Sequence, residues 1–148
     1  SNHYPSDHYP FMYKTRSKYN SIIKIRLADI LLLKAEAYVE TGNLQAAAGI
    51  VNTIRNRAKL EDLPGTTTTS KDKMADAVLN ERRLELAFEG QRWFDLVRTG
   101  KVFAVMNSLN SRDSGRLPVT PVTEATVLLP IPQTQIDKNP NLTQNTGY

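Results

Sequence analysis

Residues 80–100 read NERRLELAFEGQRWFDLVRTG, and the spacing within them decides the fold class. Leu84 and Phe88 stand four apart, as do Glu81, Glu85 and Glu89. On a helix, residues three and four apart share a face. The three carboxylates therefore form a row beside an apolar stripe of Leu84, Ala87 and Phe88. Gly90 interrupts the row and reads as a C-cap or hinge. The pattern restarts at Trp93-Phe94 and Leu96-Val97, with Arg92, Asp95 and Arg98 at i, i+3 and i+6, and Gly100 ends it. The stretch predicts a helix, a glycine break and a second short helix, tied together by charges that cross the break. It also holds the chain's one Trp and two of its four Phe.

Upstream, the spacing predicts a helix from Ile25 to Thr41. Leu27, Ile30, Leu31, Ala35 and Tyr38 fall on one stripe, and Ala28, Leu32 and Val39 widen it. So broad an apolar surface implies neighbours on two sides. Gly42-Asn43 turns the chain into a second helix, Leu44 to Lys59, with Ala47, Ile50, Val51 and Ile54 inward. Its last turns carry Arg55, Arg57 and Lys59, where cations suit the helix dipole. The two helices make an αα-hairpin. Ala35, Tyr38, Gly42 and Ala47 also follow the spacing of a tetratricopeptide repeat. One such unit cannot bury its own faces, so it must pack on something else, and the 74–98 region is the available partner.

Residues 61–73, EDLPGTTTTSKDK, read as a loop around the turn pair Pro64-Gly65, with Ser70 or Asp72 placed to cap the next helix. That third helix is expected from Lys73 to Phe88, a fourth from Gln91 to Arg98, and a short one from Val102 to Leu109. Residues 110–126 read as a loop. Val127-Leu128-Leu129, followed by Pro130 and Pro132, reads as extended chain. The tail from Gln133 reads as irregular, and residues 1–21 as an irregular arm.

Composition removes several function classes. The formal charge is +4, from 19 basic and 15 acidic residues spread along 148 positions, so no nucleic-acid footprint is visible. Hydrophobic residues make up 40%, enough for one domain's core. There is no Cys, which excludes disulfides, thiolate metal sites and a Cys nucleophile. The run Ile30-Leu31-Leu32-Leu33 is far too short to span a bilayer. No Gly-rich phosphate loop, Ser/His/Asp arrangement or zinc spacing is present, so no cofactor and no metal are expected.

Three stretches carry a family resemblance. ER-x-x-EL-x-FEG-x-RWFDL-x-R-x-G at 81–100 resembles the signature of the SusD/RagB family, surface lipoproteins that bind nutrients for an outer-membrane transporter. Residues 26–58, RLADILLLKAEAYVETGNLQAAAGIVNTIRNRA, resemble the family's preceding helical pair. Leu129-Pro130-Ile131-Pro132 followed by Asn139-Pro140-Asn141-Leu142-Thr143-Gln144-Asn145 resembles its closing segment. The matches occur in the family's order. Members are several times longer and begin at a lipidated Cys. The resemblance therefore implies a C-terminal portion of such a protein, with residues 1–21 an arm left by truncation and 22–148 the C-terminal helical domain. It implies an all-α, tetratricopeptide-like fold with long irregular loops. It further implies non-catalytic binding of a glycan at the cell surface, a SusC-like TonB-dependent partner, and a lipid anchor as the membrane attachment.

Candidate sites follow from chemistry. Glu85, Glu89, Arg92, Asp95 and Arg98 contain the carboxylates that acid/base work needs, but opposite charges at helical spacing already account for them as a structural ion-pair network. Two Glu one turn apart also approach a substrate from one side, whereas glycosidases flank the scissile bond. Trp93 is either a stacking platform or a core anchor beside Phe94 and Leu96. Tyr4, Tyr9 and Tyr13 are the expected ligand contacts, in a loop-like arm that also holds Phe11 and Tyr19; the alternative is a truncated linker that packs on the missing portion. His3, Asp7 and His8 are too loosely spaced to indicate a metal site. The tail Asn and Gln residues suit either sugar hydroxyls or backbone groups. The competing function is a helical-repeat adaptor for a protein or peptide, which calls for several repeats where one is visible.

Overall fold

The computed structural model describes residues 24–109 and 121–148. The expected arm, with Tyr4, Tyr9, Tyr13, His3 and His8, lies outside the described residues. Among the described residues all regular structure is helical, so the fold is all-α. The chain divides into two compact units, Ser1–Arg92 and Trp93–Tyr148.

The first unit is a three-helix packing. Helix α1 is Leu27–Glu40, α2 is Leu44–Arg57 and α3 is Lys71–Glu85. α1 packs on both α2 and α3, and α2 packs on α3. The α1–α2 turn is built by Gly42 at φ +82, a conformation that glycine adopts without a Cβ penalty. Its geometry lets the Asn43 amide reach the Tyr38 carbonyl at 2.8 Å. The Asn43 side chain then accepts from the Ala46 amide and caps α2. α2 closes with Lys59 at φ +59 and a bond from the Leu60 amide to the Arg55 carbonyl, a Schellman ending without glycine.

The core is Leu32, Ala35 and Val39 of α1, Ala47, Ala48, Val51 and Ile54 of α2, and Met74 and Val78 of α3. Ala35 and Ala47 are both fully buried, and their small size permits close approach of the two helices. The buried face of α1 is thus Leu32, Ala35 and Val39. Leu27 and Ile30, expected on one apolar stripe with Ala35, are 73% and 50% exposed. α1 is apolar on two sides, and its buried side carries Asp29 as well as Leu32.

The Thr tract is not wholly irregular. Gly65–Thr69 forms a 3₁₀ turn against α2 and α3. Within it Thr68 and Thr69 donate to the carbonyls of Gly65 and Thr66. Ser70 occupies the N-cap of α3, but makes no side-chain cap hydrogen bond. The Leu63 amide is held by the Asn52 side chain at 2.9 Å, which ties the loop to α2.

α3 ends at Glu85, three residues earlier than the spacing suggests. A turn follows, with Phe88 at φ +66 and Gly90 at φ +78. Leu86 is buried there, while Leu84 and Phe88 are 47% and 68% exposed. The apolar stripe of Leu84, Ala87 and Phe88 is therefore not a helix face, because the helix stops before it is complete.

The second unit takes α4, Arg92–Arg98, from its second residue onward, and α5, Val102–Asn107. Gly100 at φ +69 separates them, with the Lys101 amide bonded to the Leu96 carbonyl. Leu96 and Val102 are buried. Two single-turn helices appear where loop and irregular tail were expected: α6, Glu124–Val127, and α7, Gln133–Ile136. Thr123 and Thr126 form a reciprocal capping box on α6, and Pro132 opens α7 from the N-cap. Four residues are too few to show a helical period.

Candidate functional site

The charged cluster grows from the carboxylate row on α3. Like charges close together repel, so Glu81 and Glu85 on α3, with Glu89 in the turn just beyond it, need cations from elsewhere. The fold supplies them from α1 and α2. Arg55 meets Glu81 at 3.2 Å and Arg57 meets Glu85, both from the last turn of α2. Arg26, at the N-cap of α1, serves Glu85 a second time and Glu89 as well. Its Nη1 donates to Glu85 at 2.6 Å, its Nε to Glu89 at 2.8 Å and its Nη2 to Glu89 at 2.9 Å. The same Nη2 also donates to the Glu85 backbone carbonyl at 2.6 Å, covering one of the last carbonyls of α3.

This geometry fixes the protonation of the guanidinium. Arg26 is raised above its ordinary value, first by the hydrogen bond to Glu89 and, against a smaller loss from burial, by that to Glu85. Because the folded value is raised, the stabilisation is fully present below the ordinary guanidinium pKa. It is lost only in strong alkali, as pH passes the folded value.

A second pair sits deeper. Arg82 on α3 donates to the Asp29 carboxylate on α1 at 2.8 Å, with side-chain exposures of 3% and 9%. Both charges are out of water, so each depends on the other. Three charged residues of α3 therefore reach its neighbours: Glu81 to α2, Arg82 to α1, and Glu85 to α2 and to the N-cap of α1. They lock the helix in register with its neighbours.

The five expected network residues divide between the units. In the first, Glu85 and Glu89 are brought together on one guanidinium, that of Arg26, and Arg92 Nη1 donates to the Leu79 carbonyl at 3.4 Å. In the second, Asp95 is buried and accepts from Arg98 at 2.9 Å within its own helix. Arg26 was missed as a member of the cluster because it lies 59 and 63 positions from its partners. The available signal was the unneutralised carboxylate row itself. Chemically, Glu85 is only 9% exposed at its side chain and is engaged by two arginines, so it presents no open carboxylate to a substrate.

Trp93 is half-buried and Phe94 is 68% exposed, with Leu96 taking the buried position on α4. The tail amides are committed to backbone. Gln144 accepts from the Ile131 amide at 2.8 Å and donates to its carbonyl at 2.9 Å, while Asn145 donates to the Leu129 carbonyl at 2.6 Å. Pro130 and Pro132 have no amide hydrogen to donate, so Ile131 offers the one donor between them, and Gln144 takes it. Gly147 continues the run, since a Cβ there would collide with the Cβ of Ala125. Residues 144–147 thus lie antiparallel to 125–131. Asn107 holds the Val122 amide and carbonyl in the same two-handed way.

Among the described residues no group of three or more His, Cys, Asp or Glu is placed to hold a metal ion. No helix there is long and apolar enough to cross a membrane.

Comparison with known proteins places this architecture. The model of the SusD family matches residues 3–148. The SusD-like protein P38 of Formosa agariphila is 38% identical over 134 residues, covering 86% of this chain and 25% of its own length. The starch-binding protein SusD of Bacteroides thetaiotaomicron is 32% identical over 145 residues, covering 98% of this chain and 24% of its own. The crystal structure of a SusD superfamily protein from Bacteroides vulgatus superposes with a TM-score of 0.68 at 32% identity, over 84% of this chain and 27% of that one. The chain spans about a quarter of the length of these relatives. With the family's model matching residues 3–148 and the helical fold in common, the chain belongs to the SusD family.

Proposed function

We propose that this chain takes part in non-catalytic capture of a nutrient glycan at the cell surface. The glycan passes to a SusC-like TonB-dependent transporter in the outer membrane, where a lipid anchor holds the binding protein. The observation that carries this reading is the similarity to a starch-binding protein across 98% of the chain. The geometry of the acidic cluster supports it. Glycosidases set two carboxyls on opposite sides of a scissile bond. Here Glu85 and Glu89 converge on the same Arg26. In this reading Glu85, Glu89, Arg92, Asp95 and Arg98 are architecture. Ligand contacts come from the aromatic arm, Tyr4, Tyr9 and Tyr13, whose rings offer flat faces to sugar C–H groups.

The test is calorimetric titration with soluble starch fragments and a panel of other oligosaccharides, with reducing ends counted in the same samples. Saturable heat with no rise in reducing ends is the expected result. Release of reducing ends from any polysaccharide overturns the non-catalytic reading. Saturable binding to peptides, with none to any glycan, favours the helical-repeat adaptor.

A further inference from the structure

We draw no further inference here: the strongest candidate, the exposed apolar face of α1 formed by Leu27, Ile30 and Leu33, is an unpartnered helix face, and nothing in the structure shows what covers it.

Discussion

At Arg26 a single guanidinium answers two carboxylates and a backbone carbonyl. Removing it leaves Glu85 and Glu89 with their shared cation gone. Arg26→Met is therefore expected to cost about 2 kcal/mol, below the range for fully buried pairs because Arg26 is partly exposed. Differential scanning calorimetry should show a melting temperature lower by roughly 6 °C. Glu89→Ala should act in the same direction with a smaller effect, since Glu85 still receives Arg26 and Arg57. Phe88 presents the opposite case. Its φ of +66 is a left-handed conformation that costs a residue with a Cβ about 1 kcal/mol, and its exposed ring recovers little by packing. Phe88→Gly should leave the melting temperature unchanged or raise it. At this scale the sequence showed which residues were charged and on which helix, but not their partners. Arg26 and Glu89 meet only once α1 and α3 are packed, and no local spacing encodes a contact across 63 positions.

Helices α1, α2 and α3 were legible because their apolar periods run for three turns or more. Gly42, Gly90 and Gly100 marked the ends, and all three adopt positive φ. What the period could not decide was which side of α1 faces the core. With apolar residues on both sides, the choice of Leu32, Ala35 and Val39 is made by the partners, α2 and α3. This predicts an asymmetry between two leucines of one helix. Leu32→Ala, at a fully buried site, should cost about 3 kcal/mol in urea unfolding. Leu27→Ala, at a largely exposed one, should fall within about 0.5 kcal/mol. The short helices α6 and α7 were not legible, because four residues complete barely one turn. The tail is a similar case. Its Gln and Asn side chains replace backbone pairing beside two prolines, a role invisible without the facing segment. Gln144→Ala should speed hydrogen exchange at the Ile131 amide markedly while leaving amides of α1 and α2 unaffected.

On the scale of the whole molecule, the all-α class followed from helical periods, and the family resemblance from three motifs standing in order. Glu81 and Glu85 of α3 are answered inside the scaffold by Arg26, Arg55 and Arg57. The account therefore separates a structural cluster on the helices from a ligand surface elsewhere, in the aromatic arm. Affinity electrophoresis through polysaccharide gels tests that separation directly, with the unsubstituted chain run beside Glu85→Gln/Glu89→Gln and Tyr4→Ala/Tyr9→Ala/Tyr13→Ala below their melting temperatures. The account predicts that at least one polysaccharide retards the unsubstituted chain, that the Glu variant keeps this retardation, and that the Tyr variant loses it. Retardation lost in the Glu variant and kept in the Tyr variant, or no retardation of the unsubstituted chain by any polysaccharide, would contradict it.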